Sequence, residues 1–333
     1  MISKDSDHRV DVQTFVAVPL FSVRLEDILD FDLYLKSESS FVLYRAARIP
    51  FNPVRRDRLL ANQVDHLYIL VDQVSKYHLY LENNLANLLA DPQIPPEKKA
   101  RILYDASSGI VKSVLVNPNL GKNIHRCRKV VSSTVHYLLQ GQEAFHELLK
   151  LGSFDYHTYT HSVQVSTYSI ALARQLGIED EEFLNELGLA GLIHDVGKSR
   201  VSKKILLKPG ALTEAEFEVI KHHPQWGVDI LGPNKAIPKA CRHAVLEHHE
   251  RGDRSGYPRR LSLNELHPYS KIVAICDCFD AMTTKRVYKN AFSPYRALQI
   301  MVSAKGTLDS VFLRNFIELL GPDGLRAKAR AKR

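Results

Sequence analysis

Eight of the chain's fifteen histidines fall between His157 and His249, less than a third of its 333 residues. Imidazoles buried at that density need partners, because an unpaired polar ring loses its hydration without compensation. Where several converge, a metal is the usual partner. The segment must therefore fold so that residues far apart in the chain meet at one point. The run Leu192-Ile-His-Asp-Val-Gly-Lys198 reads as the end of a helix whose apolar face includes Phe183, Leu187 and Ala190. On one helix His194 and Asp195 project about 100° apart, so both grip one metal or the carboxylate reaches a second. His222-His223-Pro224 closes a helix that opens with Thr213 and Glu216 at capping-box spacing. His248-His249-Glu250 closes another, on which His248 follows Ala244 and Val245, and His249 follows Val245 and Cys241, so both lean toward the packed face. Asp277 sits in the otherwise apolar segment Ile272-Val-Ala-Ile-Cys-Asp-Cys-Phe-Asp280 and calls for a balancing charge. Cys276 and Cys278 read as core, since positions i and i+2 share no helix face. Each histidine alone reads as a hydrogen-bonded core residue; five converging with two aspartates do not.

At roughly 100–200 residues per domain the length points to two domains. Short β-branched or aromatic runs at 13–20, 31–35 and 41–46, with Leu67-Tyr-Ile-Leu-Val, predict strands. Helical spacing covers 55–64 and 72–89, ended by Asp91-Pro92 and Pro95-Pro96, and from there the chain reads as helical almost throughout. The predicted architecture is α+β, with a small α/β domain over 1–130, a boundary somewhere in 92–150, an all-α helical bundle over 150–322 and a basic tail over 323–333. With 45% apolar and 25% charged residues, disordered and collagen-like classes are excluded. Cys127, Cys241, Cys276 and Cys278 are too few for a disulfide framework, which points to a reducing cytoplasm. No apolar stretch approaches the ~18–20 residues of a membrane span, and the polar start Met1-Ile-Ser-Lys-Asp-Ser-Asp is no signal peptide. The net charge of +8 favours anionic partners, although Arg326, Lys328, Arg330, Lys332 and Arg333 place part of it in a solvated tail.

His161, His194-Asp195, His223, His248-His249 and Asp277, followed in the loop by Gly256-Tyr257-Pro258, resemble the HD-GYP phosphodiesterase family. The resemblance runs from about Asp155 through Gly321. It takes in Lys208-Pro-Gly-Ala-Leu-Thr213, His249-Glu-Arg-Gly-Asp253 and Asp280-Ala-Met-Thr-Thr-Lys-Arg-Val-Tyr-Lys289. It implies an all-helical bundle around two divalent metals, one held by His161, His194, Asp195 and Asp277, the other by Asp195, His223, His248 and His249. Such ligands, without thiolate, suit iron or manganese. Two metals ~3.5–4 Å apart hold a hydroxide between them and aim it at phosphorus. Asp195 is then the bridging catalytic carboxylate, and Lys198 stabilises phosphoryl charge or organises the bridging water. The implied substrate is the bacterial second messenger cyclic di-GMP, opened to pGpG or cut on to GMP. By the same resemblance Arg286 and Lys289 bind its phosphates, Tyr257 lies near it, and the Gly256-Tyr257-Pro258 loop offers a contact to a protein partner. A homodimer is expected.

Three departures from the family pattern bear on this reading. The usual Asp-Gly-Ser-Gly-Tyr-Pro is here Asp253-Arg254-Ser255-Gly256-Tyr257-Pro258. If that glycine takes positive φ, Arg254 carries strain of about 1 kcal/mol and sets a cation at the rim of the site, where it binds phosphate or narrows the mouth. Ser199-Arg-Val-Ser-Lys203 lacks the apolar and proline residues that usually follow the lysine. His157 stands four residues before His161, where three-metal members carry a glutamate; it offers a ligand to a third metal, but the reading here is binuclear. The leading expectation is a metal-dependent cyclic di-GMP phosphodiesterase. The alternatives are a cyclic-dinucleotide receptor with little turnover, signalling through protein contacts, and an HD phosphohydrolase for another nucleotide such as cyclic GMP-AMP. The N-terminal domain reads as a regulatory or dimerising module.

Overall fold

The computed structural model describes residues 15–24, 27–38, 40–49, 58, 59, 61–118, 120–151, 158–284 and 291–321. Internal contacts divide the chain into two units, Met1–Lys98 and Lys99–Arg333.

The first unit carries a sheet of β1 (Phe15–Pro19), β2 (Leu33–Ser37), β3 (Ser40–Arg45) and β4 (His66–Leu70). Their order is β1-β4-β2-β3 and every pairing is antiparallel, with Tyr34 opposite Tyr68 across the central pair. These strands fall on the four predicted runs, because alternation and β-branching are local properties that survive in a half-buried sheet. Val18, Leu33, Leu67 and Ile69 are buried. Helix α1 (Val74–Ala90) follows, and its Tyr77 and Tyr80 rings meet Phe31 edge-on with centroids 5.8 Å away. Both hydroxyls are satisfied, Tyr77 on Ser22 Oγ at 2.7 Å and Tyr80 donating to Asp27 Oδ2 at 2.8 Å.

Helix α2 (Pro96–Val116) carries the chain into the second unit. There α3 (Leu120–Leu139), α4 (Gln142–Leu151), α5 (Thr158–Gln175) and α6 (Glu181–Ile193) lead to a 3₁₀ turn at Val196–Arg200. The short α7 (Lys203–Leu206), then α8 (Glu214–Lys221), α9 (His223–Leu231), α10 (Lys239–Glu247), α11 (Pro268–Thr283), α12 (Pro294–Ser303) and α13 (Ser310–Leu320) complete the bundle. No helix among the described residues is long and apolar enough to cross a membrane.

Capping residues set many of these boundaries. Asp180 caps α6 by accepting from the Phe183 amide at 2.7 Å, and Asp309 caps α13. The capping box expected at α8 forms, with Thr213 and Glu216 bonded reciprocally at 3.2 and 2.8 Å. The core is built where α5 packs on α6 and α11. Residues 161–173 of α5 are buried all round, as suits a helix enclosed by others. Helices α5 and α6 approach closely because Gly188 faces Ile170 and Gly191 faces the Ser166 backbone, where a β-carbon has no room.

Candidate metal centre

Three helix ends and two helix interiors supply the ligand residues. His161 lies inside α5, and Asp277 lies inside α11. Helix α6 ends at Ile193, so His194 is its C-cap, and Asp195, at φ −95° and ψ 9°, has left the helix. The sequence reading put both on one helix; the turn between them instead aims the carboxylate back toward α9. Gly197 makes that turn possible, because its missing β-carbon is where the His223 carbonyl and the Gly227 amide lie. His223 opens α9 rather than closing the preceding helix, and His248 caps the C-terminus of α10.

Two groups of ligand atoms result, Asp195 with His223, His248 and His249, and His161 with His194 and Asp195. Within each, the atoms lie within 4.8 Å of one another. Asp195 belongs to both. Its Oδ1 is 3.2 Å from His223 Nε2 and 3.8 Å from His248 Nε2, and its Oδ2 is 3.4 Å from His194 Nε2. Asp277 joins them, Oδ1 at 3.1 Å from His161 Nε2 and Oδ2 at 3.7 Å from His249 Nδ1. His161, His194, Asp195, His223 and His248 are each no more than 2% exposed.

The outer ring nitrogens explain what the inner ones can do. Nδ1 of His194 donates to Gly191 O at 2.7 Å, that of His223 to Ile220 O at 2.7 Å, and that of His248 to Val245 O at 2.9 Å. His161 Nδ1 donates to Asp280 Oδ2 at 2.6 Å. All four partners only accept, so in each neutral ring the proton is on Nδ1 and the Nε2 lone pair points inward. His223 Nε2 and His248 Nε2 then face each other at 3.1 Å, two lone pairs with no proton between them. His194 Nε2 and Asp195 Oδ1 are buried without a hydrogen-bond partner. Burial of such atoms is costly unless a cation meets them, and anchored Nδ1 with inward Nε2 is the arrangement that metal-bound histidines adopt. The residues fit divalent metal.

Electrostatics agree. Burial alone raises the Asp195 pKa, but Lys198, whose Nζ donates to Oδ2 at 2.5 Å, and His194 more than offset it and hold the carboxyl well below its usual range. Asp277 is likewise held low, burial being outweighed by the His161 ring, whose Nε2 is 3.1 Å away, and by the neighbouring imidazoles. Burial and then the adjacent imidazoles push His248 and His249 well below their ordinary values, and burial lowers His223. These rings are neutral at pH 7 and ready to ligate. Unfolded histidine takes a proton near pH 6.5, whereas these resist it, so their contribution to stability is present above about pH 6.5 and lost as pH falls below it. Denaturant unfolding of chelated protein is expected to show a falling midpoint between about pH 7 and 5.5. A flat midpoint there would show that the buried rings are not held neutral.

Three carboxylates missed as functional residues in the sequence organise the centre from outside. Asp280 is one turn after Asp277 on α11, and that i, i+3 spacing was its only signal. Losing such an outer partner typically costs 10–100-fold in metal affinity. Asp280→Ala is expected to show roughly that loss in a chelator competition, and Asp280→Asn less, since its amide oxygen still accepts. Undiminished affinity in the alanine variant would remove Asp280 from the centre. Buried Glu247 accepts from Arg259 Nη2 at 2.5 Å, Ser270 Oγ at 2.7 Å and the His267 amide at 3.2 Å. Buried Glu250 accepts from the amides of Arg259 and Leu261 at 2.6 and 2.9 Å. Together they tie the loop after α10 to the helix that carries His248, and Glu250, directly beside the double histidine, was the more visible of the two.

That loop presents Tyr257, whose ring stacks on His249 with centroids 4.8 Å apart. Gly256 packs against the Glu250 and Arg251 backbone with no room for a side chain. Arg254 stands at φ +67°, the conformation that glycine adopts without strain, and its Nη2 donates to Glu265 Oε2 at 3.0 Å on the surface. In the segment after Lys198, Val201 is buried and Ser202 caps α7. Cys276 is core, its thiol pushed up by burial. Arg286, Lys289 and His157 lie outside the described residues.

Residues 146–311 match the HD domain family. A cyclic di-GMP phosphodiesterase of Pseudomonas aeruginosa is 34% identical over 226 residues, 67% of this chain and 54% of that protein. A cyclic di-GMP phosphodiesterase of Thermotoga maritima is 40% identical over 157 residues, 47% of this chain and 42% of that protein. The 3'3'-cGAMP-specific phosphodiesterase 3 of Vibrio cholerae is 38% identical over 145 residues, 44% of this chain and 31% of that protein. The chain thus spans about half or less of the length of these curated relatives. Among solved structures, an HDG"Y"P protein from Bdellovibrio bacteriovorus shares the fold, with a TM-score of 0.67 at 22% identity over 92% of this chain and 99% of that one.

Proposed function

The chain belongs to the HD domain family, and on that premise we propose that its bundle is a metal-dependent phosphodiesterase for cyclic dinucleotides, cyclic di-GMP first among them. The observation that carries this is a carboxylate, Asp195, shared by two clusters of inward-facing ligand atoms. In this reading His161, His194, Asp195 and Asp277 hold one metal and Asp195, His223, His248 and His249 the other. Both are iron or manganese, consistent with imidazole and carboxylate ligands and no thiolate. When bound, such a pair supplies Lewis acidity toward phosphoryl oxygens and makes water acidic enough to attack at neutral pH.

The chain's own residues do the rest. Lys198 holds Asp195 oriented and puts a positive charge beside the site. Asp280 fixes the ring of His161. Arg286 and Lys289 take the phosphates, an arginine fork with a lysine point charge. Attack at one phosphodiester opens the cyclic ring to pGpG, and a second cut gives GMP. His157 adds no third metal in this reading. The names of the relatives support cyclic di-GMP and, with less of the chain matched, cyclic GMP-AMP. The domain reading of 1–130 as a regulatory or dimerising module, 150–322 as the catalytic bundle and 323–333 as a tail completes the proposal, in a cytoplasmic homodimer.

The test is anaerobic purification with metal analysis, followed by chromatography of products from cyclic di-GMP and cyclic GMP-AMP with iron and with manganese. About two metals per chain and the appearance of pGpG or GMP are expected. Metal-loaded protein that retains cyclic di-GMP tightly and uncut would instead make the chain a receptor. Faster consumption of cyclic GMP-AMP would reassign the substrate.

A further inference from the structure

Beside the centre lies a cavity of about 490 Å³ lined by Lys221, His222, Gln225, Arg254, Tyr257 and Arg260. It adjoins the metal ligands on two sides. Tyr257 stacks on His249, and His222 immediately precedes His223 at the start of α9. The lining is cationic. Its one carboxylate, Glu218, is taken by Lys221 at 2.6 Å. Arg254 pairs with the half-exposed Glu265 and donates to the Arg260 carbonyl at 3.3 Å, and such a surface ion pair is weak enough to be exchanged for a ligand. The Arg260 side chain meets no carboxylate among the described residues. The first turn of α9 presents His222 and Gln225 to the same space.

The backbone gives the second line of argument. Arg254 and Arg260 stand at φ +67° and +56°, six residues apart in one loop. Glycine adopts this region freely, and any residue with a β-carbon is strained there. Both strained positions carry arginine, and both arginines line one cavity. Strain of this sort persists where the side chain has a task, and a guanidinium matches the geometry of a phosphate.

We infer that this cavity is the subsite for the nucleotide that is not being cut, with Arg254 and Arg260 on its phosphate. The inference rests on the proposed function, since a cyclic dinucleotide carries two phosphodiesters and only one can occupy the metal centre. The far phosphate takes further cations besides Arg286 and Lys289, and this cavity supplies them next to Tyr257, whose ring stacks on His249.

The double variant Arg254→Gly, Arg260→Gly tests this, because glycine suits both backbone positions and the loop keeps its fold. Two readouts are taken on the full chain. The first is kcat/KM for cyclic di-GMP divided by kcat/KM for bis(4-nitrophenyl) phosphate, a diester with one phosphate and no second nucleotide. The ratio is expected to fall about tenfold or more, the effect of losing charged hydrogen bonds. The second is calorimetric binding of cyclic di-GMP to metal-free protein, with Kd expected to rise by about tenfold. An unchanged ratio and an unchanged Kd overturn the subsite. If wild-type protein loaded with metal cleaves neither diester, the enzyme reading fails, and the Kd comparison still decides whether the cavity binds the dinucleotide.

Discussion

Asp195→Asn is expected to strip metal from the protein and to lower turnover by more than about 10³-fold, beyond the 10–100-fold typical of losing an outer-shell partner. The side chain keeps its shape and loses its charge. Its Oδ1 serves His223 and His248, its Oδ2 serves His194 and Lys198, and both ligand clusters include it. In the variant one of those oxygens becomes an amide nitrogen, a donor aimed at imidazole lone pairs or at the Lys198 ammonium. The two ligand clusters would then share no anion, and Lys198 loses the carboxylate that holds it. Metal stoichiometry and initial rates on cyclic di-GMP measure the effect, with circular dichroism confirming the fold. Wild-type rates with wild-type metal content would end the two-metal reading.

Gly197→Ala is expected to damage the same centre from a position that itself ligates nothing. The added β-carbon points into the His223 carbonyl and the Gly227 amide, both backbone, so no rotamer change relieves it. The 3₁₀ turn and α9 must separate, and they carry Asp195 and His223. Overpacking of a core costs about 1–3 kcal/mol and more where backbone must move, so a loss of about 3 kcal/mol or more is expected. For a domain of this size that lowers Tm by roughly 6–12 °C. Gly227→Ala is the comparison, since its β-carbon meets chiefly the Val245 side chain at 2.6 Å, with backbone no nearer than 3.6 Å. It should lose less. If Gly197→Ala unfolds with the wild type, the close approach of turn and helix does not hold the centre.

Several elements were legible in the sequence for one physical reason. The strands at Phe15–Pro19 and His66–Leu70, the end of α1 before Pro92 and the Thr213–Glu216 capping box depend on residues within a few positions of each other. The supply of ligands was legible too, because histidines at this density have few uses and aspartate within an apolar helix has fewer. Where local signals compete, the sequence reads less well. His194-Asp195 looks like helix continuing because nothing before it breaks the period, yet the chain turns there, since Gly197 lets α9 approach more closely than a continued helix would.

The sequence by itself determined which residue types were available, where most helices and strands begin, and that histidines and aspartates had to converge. The tertiary structure alone decided which atoms face inward. Asp280 reaches His161 across 119 positions and fixes its proton on Nδ1, and His223 meets His248 across 25. Glu247 and Glu250 reach forward to hold the loop that brings Tyr257 and two strained arginines beside the ligands. Such pairings depend on how helices cross and on which backbone amides and carbonyls are left over at their ends, and no local pattern of side chains encodes either.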